Sequence, residues 1–150
     1  MKDLIRIVRF SNQYKNFATK GSDITGKHCK FILFICHNEG LTQEEIAFSM
    51  GIDKSNAARR LSELEENGYI KRTVKKEDKR NLEIYPTEKA MRILPYIKNI
   101  VTRWNDYITE DLSETEKEQF YSIAQKMQNK AVKWQEHNFM LPLLPEEMMK

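Results

Sequence analysis

Cysteine, proline and glycine are scarce in this sequence, and it has no long apolar run. Two cysteines are too few for a disulfide scaffold, and four prolines with five glycines in 150 residues exclude collagen-like and low-complexity classes. The longest apolar run, Phe31 to Cys36, is far shorter than the roughly 18 residues of a membrane span. Charges interrupt the N-terminal stretch where a signal peptide needs an apolar core. We therefore expect a cytoplasmic protein with no membrane partner.

The sequence also lacks the motifs of common catalytic sites. It has no glycine-rich phosphate loop, no nucleophile motif and no clustered histidine and carboxylate pair. His28, Cys29, Cys36 and His37 do not converge on one helical face, so a metal would need ligands from elsewhere. We therefore expect that this protein is not an enzyme and that it has neither a cofactor nor a metal site.

What the sequence does contain is typical of a globular, mostly helical domain. Hydrophobic residues make up 40% of the chain and charged residues 31%, and the formal net charge is +3. A small positive charge permits a nucleic-acid partner without establishing one. Whether the partner is a nucleic acid must therefore be judged from how the charges are distributed along the chain.

Apolar residues spaced three and four apart predict six helices. The first runs from Leu4 to Phe17. Residues with helix-capping side chains mark where the other five begin. These are Thr25, Thr42 with Glu45, Asp53, Thr87, and Ser113 with Glu116.

Between the fourth and fifth helices the pattern changes to strands. Tyr69 to Val74 and Leu82 to Tyr85 are short runs with β-branched and aromatic residues, and the charged stretch Lys75 to Asn81 separates them. This predicts a β-hairpin. The order helix, turn, helix, strand, loop, strand from Thr42 to Tyr85 is that of a winged helix-turn-helix. The predicted fold is mainly α with a small β-hairpin wing.

Three segments in the right order resemble the MarR (multiple antibiotic resistance regulator) family. The stretch 41–72, LTQEEIAFSMGIDKSNAARRLSELEENGYIKR, is similar to the family's helix-turn-helix. The stretch 76–90, KEDKRNLEIYPTEKA, is similar to its wing and following helix, with the Asp-x-Arg motif at Asp78 and Arg80. The stretch 108–120, ITEDLSETEKEQF, resembles the junction into the last helix. Pro86, Ala90 and Arg60 depart from the residues usual in the family.

The resemblance implies a transcriptional regulator that binds double-stranded DNA as a homodimer. We expect a winged helix-turn-helix DNA-binding lobe at residues 25–90, and a helical dimerisation region at residues 1–24 and 91–150. A repressor on palindromic operators, released by a small aromatic effector, fits this architecture. The alternative is a winged-helix module that binds a protein and has no sequence-specific DNA binding.

The fourth helix has the two faces that a recognition helix needs. Ala57, Leu61 and Leu64 form an apolar stripe that would seat it on the domain. The polar and basic residues of its N-terminal half would then point outward. These candidate DNA contacts are Lys54, Ser55, Asn56, Arg59 and Arg60. Asn56 could pair with an adenine and Arg59 with a guanine, whereas Arg60 is either an extra phosphate contact or a solvated side chain.

The predicted hairpin carries the densest positive charge in the chain. The stretch from Lys71 to Arg80 contains six basic and two acidic residues. Basic residues at this density favour binding to DNA, because their contacts with phosphates release counterions. Lys75, Lys76 and Lys79 are candidate phosphate contacts. The family resemblance implies that Arg80 enters the minor groove and that Asp78 holds it. The alternative is a charged hairpin whose lysines prevent edge pairing.

The flanking helices are more apolar than a monomer surface should be, which predicts a dimer. We expect the contact in the first helix, around Trp104 and Tyr107, and in the last helix. The family's small-molecule cleft implies a ligand site whose candidate residues are Phe10, Tyr14, Phe17, His28 and Phe31. The alternative is that these aromatic residues belong to the core. Cys29 and Cys36 are buried inert thiols or, alternatively, sensors of oxidation.

Overall fold

A computed structural model of the chain describes residues 1–74 and 82–136. It divides into two compact units, Met1–Ile108 and Thr109–Lys150. The predicted fold class is confirmed, because helices dominate and the strands form one small antiparallel sheet.

Within the described ranges, the first unit contains eight elements and the second contains one helix. In chain order they are α1 (Lys2–Ala18), α2 (Gly26–His37), β1 (Leu41–Thr42), α3 (Gln43–Ser49), α4 (Lys54–Glu66), β2 (Ile70–Val74), β3 (Leu82–Pro86), α5 (Glu88–Ile108) and α6 (Glu114–Glu136). All six predicted helices are present. Among the residues described, no helix is long and apolar enough to cross a membrane.

The predicted caps explain where α3 and α4 begin. The Thr42 amide donates to the Glu45 carboxylate at 2.7 Å, and the Glu45 amide donates to the Thr42 hydroxyl at 3.3 Å. The Asn56 amide donates to the Asp53 carboxylate at 2.7 Å at the start of α4. Such a cap contributes about 1 kcal/mol, because it satisfies amides that have no partner inside the helix.

The sheet contains a strand that the sequence did not predict. Its order is β1-β3-β2, with both pairs antiparallel, so the expected hairpin of β2 and β3 gains β1 at its edge. Leu41 of β1 and Arg72 of β2 both face Ile84 of β3. Gly40 leads into β1 with a φ of 80°, and its amide donates to the Ile84 carbonyl at 3.0 Å. This left-handed conformation favours glycine.

The core of the first unit surrounds α2. Its residues Phe31, Ile32 and Ile35 are buried, and they share one cluster with residues of α3, α4, α5 and the sheet. The other large members are Ile46, Leu61, Leu64, Ile84 and Ile97. Burying each such side chain contributes about 1.5 to 3 kcal/mol, so α2 is the support on which α4 is seated.

Asp23 ties the loop before α2 to the end of α4 and the start of α5. Its carboxylate accepts a hydrogen bond from the Tyr69 hydroxyl at 2.5 Å and pairs with the ammonium of Lys89. Lys89 also donates to the backbone carbonyl of Asn67 at 2.8 Å, and the side-chain amide of Asn67 donates to the backbone carbonyl of Asp23 at 3.0 Å. The loop between α1 and α2 is therefore bonded to both helices.

This network makes stability depend on pH. The hydrogen bonds from Lys89 and then Tyr69 lower the pKa of Asp23. A carboxyl group whose pKa is lower in the folded state stabilises the fold above its unfolded pKa of about 4, and this contribution is lost as the pH falls through the folded value. Urea unfolding should show wild type to be more stable than Asp23→Asn at pH 7, with the difference shrinking below about pH 4. A difference that is constant from pH 7 to pH 3 would contradict this.

Candidate nucleic-acid interface

One face of α4 is apolar and packs against the core of the first unit. We call this face, formed by Ala57, Leu61 and Leu64, the apolar seat of α4. Ala57, Leu61 and Leu64 are completely buried, as the spacing predicted. Gly51 lies in the turn between α3 and α4 with a φ of 63°, a conformation that costs other residues about 1 to 2 kcal/mol. A tight turn at one end and a packed face along its length therefore limit the directions in which α4 can point.

The N-terminal half of α4 carries the predicted polar face. Lys54, Ser55 and Arg59 are exposed, and Asn56 is half-buried at the edge of the seat. Lys54 pairs with Glu44 of α3 at 2.7 Å, but both side chains are more than 70% exposed. Such a surface pair is worth only about 0 to 1 kcal/mol, so a phosphate can replace the glutamate. The exposed face has the size and chemistry to enter a major groove.

Arg60 is placed differently from its neighbour Arg59. Its guanidinium donates to the Glu63 carboxylate at 2.6 Å, and its side chain is only 12% exposed. The same carboxylate oxygen lies 2.7 Å from Nε2 of the buried His28 on α2. Sequence reasoning did not identify this cluster, because His28 and Glu63 lie 35 positions apart and no local pattern joins them.

The hairpin strands lie beside α4. Arg72 of β2 donates to Glu65 of α4 at 2.9 Å and to Gln43 of α3 at 3.3 Å, which joins the strand to both helices. The last described pair of the hairpin is Val74 with Leu82. The predicted wing contacts lie between these two residues, outside the described part of the chain. They are Lys75, Lys76, Asp78, Lys79 and Arg80.

The five predicted ligand-site residues have different environments. Phe31 is in the core, and Phe10 and Phe17 are exposed. Tyr14 of α1 packs on Trp104 of α5 with ring centres 5.5 Å apart. His28 is buried, and both of its ring nitrogens have partners within the chain, the Thr25 amide at 3.2 Å and the Glu63 carboxylate.

The two thiols have raised pKa values. Cys29 is fully buried and Cys36 is half-buried, and burial is the main cause of the raised pKa of each thiol. A raised pKa disfavours the reactive thiolate and so favours the inert alternative. Across residues 1–74 and 82–136, no group of three or more side chains could hold a metal ion.

Comparisons with known proteins agree with this geometry. The MarR family model matches residues 22–81, which contain α2, β1, α3, α4 and β2 and end just before β3. The HTH-type transcriptional regulator BilQ of Clostridioides difficile is 29% identical over 86 residues, which cover 57% of this chain and 58% of that protein. The HTH-type regulator YybA of Bacillus subtilis is 24% identical over 131 residues, 85% of this chain and 87% of that one.

Solved structures share the fold over nearly the whole chain. The transcriptional regulator SlyA is 28% identical with a TM-score of 0.84, covering 88% of this chain and 93% of that one. A MarR family regulator from Listeria monocytogenes, crystallised with a 26mer DNA, is 23% identical with a TM-score of 0.87, covering 96% and 97%. The resemblance inferred from the sequence is confirmed: in sequence and in fold the chain is similar to winged helix-turn-helix transcriptional regulators of the MarR family.

Proposed function

We propose that this regulator is a repressor that binds palindromic operator DNA as a homodimer. The observation that carries the proposal is the exposed N-terminal half of α4, which holds Lys54, Ser55, Asn56 and Arg59 on a completely buried apolar seat. In this proposal α4 is the recognition helix and enters the major groove. Residues 75–80 of the hairpin contact the phosphate backbone of the DNA, and Arg80 enters its minor groove. The functional division into residues 25–90 and the flanking regions stays a prediction.

A dimer is supported by the surface of α1. This helix of 17 residues has no buried residue, although it contains six large apolar side chains that are exposed. These are Leu4, Ile5, Ile7, Val8, Phe10 and Phe17. So much apolar surface on one helix is unfavourable in water unless a partner covers it. A second copy also supplies the second recognition helix that a palindromic operator requires.

The proposal includes a small aromatic effector that releases the protein from its operator. The exposed rings of Phe10 and Phe17 could contact such a ligand. His28 could do so only after losing its bonds to Thr25 and Glu63. An effector that lowers operator affinity must itself bind less tightly to the operator complex by the same factor. Calorimetric titration of planar phenols and aromatic acids into free and operator-bound protein tests this reciprocity.

The DNA-binding proposal predicts distinct effects for two arginines. Arg59→Ala should weaken binding to an operator selected from random DNA by about 1 to 3 kcal/mol and relax the sequence preference, because it removes a base contact. Arg80→Ala should weaken binding by a similar amount, because it removes a wing contact. Fluorescence anisotropy with operator and scrambled duplexes measures both.

Arg92→Ala serves as the control, since Arg92 is an exposed arginine on α5, outside α4 and the hairpin. Its loss should leave operator affinity within about twofold of wild type, because it makes no proposed DNA contact. Wild-type binding that does not weaken between 50 and 200 mM salt would favour the protein-binding module instead, since phosphate contacts make DNA affinity steeply salt-dependent.

A further inference from the structure

We infer that Glu63 is a positioning residue of the DNA-binding site: its carboxylate joins His28 of α2 to Arg60 of α4, fixes the orientation of the recognition helix, and keeps Arg60 off the DNA. This inference rests on the proposed role of α4. We call His28, Glu63 and Arg60 the carboxylate clamp. None of its members needs to touch a base or a phosphate.

The contacts of the clamp meet at one atom. Oε2 of Glu63 lies 2.7 Å from Nε2 of His28 and 2.6 Å from a guanidinium nitrogen of Arg60. The exposed fractions of the side chains are 5% for His28, 12% for Arg60 and 34% for Glu63. Because two of the three are shielded from water, these charge-assisted bonds are stronger and more directional than a surface ion pair.

The backbone determines which way the histidine bond runs. The Thr25 amide at the start of α2 lies 3.2 Å from Nδ1 of His28, and a backbone N–H can only donate. Nδ1 must therefore accept, so the ring proton is on Nε2 and is donated to Glu63. The bonds from His28 and then Arg60 lower the pKa of Glu63, which keeps the carboxylate ionised at neutral pH. The backbone amide at the start of α2 thus orients the imidazole of His28, which bonds to Glu63 of α4.

An apolar seat alone does not fix the orientation of α4 as closely as base reading requires. Contacts of Ala57, Leu61 and Leu64 are non-directional, so small rotations of the helix cost little. Asn56 lies about 10 Å along the helix from Glu63, and a tilt of about 10° there would move it by roughly 2 Å. A displacement of that size breaks a hydrogen bond to a base. The directional bond between His28 of α2 and Glu63 of α4 opposes such a tilt, and the Arg60 bond, which lies within α4, holds the Glu63 carboxylate in place.

The clamp also gives the consecutive residues Arg59 and Arg60 different roles. Successive residues point about 100° apart around a helix, so one can face DNA and the other the domain. Arg59 is exposed, and Arg60 is paired with Glu63 at the edge of the buried face. The departure from the family at position 60 therefore adds a bond within the protein and no phosphate contact.

The first test compares specificity among variants that lose the same charge. We expect Glu63→Ala to lower the ratio of operator affinity to scrambled-duplex affinity about tenfold, the worth of one good base contact. Glu63→Gln should retain most of the ratio, because its amide oxygen still accepts both bonds. Glu66→Ala, at an exposed position on the same helix, is the matched control and should leave the ratio unchanged. An unchanged ratio in Glu63→Ala, or an equal fall in Glu66→Ala, would overturn the inference.

The second test uses the salt dependence of Arg60→Ala. If Arg60 bound a phosphate, its loss would reduce the slope of log affinity against log salt by about 0.9 for each contact. We expect the slope to stay at the wild-type value and the specificity ratio to fall less than in Glu63→Ala, because the bond between His28 and Glu63 remains. A reduced slope with an unchanged ratio would show that Arg60 contacts DNA directly and would overturn its place in the clamp.

A third measurement needs no DNA and separates this inference from the proposed function. Nitrogen NMR of the free protein at neutral pH should show His28 with its proton on Nε2, and its signals should shift in Glu63→Ala but not in Glu66→Ala. A proton on Nδ1 would refute the clamp whatever the protein binds. A wild type with the expected His28 signals but without preference for any DNA sequence would refute the proposed function alone.

Discussion

Replacing Ile5 and Val8 together by glutamate is expected to convert the proposed homodimer into a monomer and to lower operator affinity at least about 100-fold, the loss expected when two binding modules no longer act together. Ile5 is 53% exposed and Val8 is 59% exposed, on a helix without any buried residue. A charge at either position would be desolvated inside a dimer contact, which costs several kcal/mol without a partner. In the monomer both positions face water, so the fold should remain.

Sedimentation velocity measures the first effect, and fluorescence anisotropy with operator DNA measures the second. Gln13→Glu is the control, because it adds a charge of the same sign at an exposed polar position of α1. It should leave both the dimer and the operator affinity as in wild type. A double variant that still sediments as a dimer would show that α1 is not in the interface. A monomeric wild type would refute the homodimer itself.

Leu61→Ala is expected to lower the free energy of unfolding by about 2 to 5 kcal/mol, the range for leucine truncations in packed cores. Leu61 is fully buried in the cluster that joins α4 to α2 and the sheet. Its truncation removes apolar burial and leaves a cavity beneath α4. Since a domain is stable by only about 5 to 15 kcal/mol, this loss is a large part of the total.

Urea unfolding at a fixed protein concentration measures this loss, because a dimer's stability depends on concentration. Ser62→Ala is the control, at the next and exposed position of α4. It should change stability by no more than about 0.5 kcal/mol, as is usual for surface sites. A loss below about 1 kcal/mol in Leu61→Ala would mean that α4 is not seated as described.

The sequence alone determined those features whose causes lie within a few residues. The cap at Thr42 and Glu45 joins residues three positions apart, and the cap of Asp53 on Asn56 has the same span. The buried stripe of α4 follows from helical spacing, and the positions of the six helices follow from the same period. The exposed face of α4 follows in turn, because it lies opposite a stripe that can be read from the sequence.

Only the tertiary structure decided which distant residues meet. β1 has two residues, too few for any alternation, and exists because Leu41 pairs with Ile84. Arg60 gives no signal that separates it from Arg59 in the sequence, yet Glu63 and His28 turn it toward the domain. His28 likewise looked available to a ligand until the cap of α2 and the carboxylate of α4 occupied both of its nitrogens. Local periodicity sets which side chains face inward, but the packing of α2 against α4 sets the partners they find there.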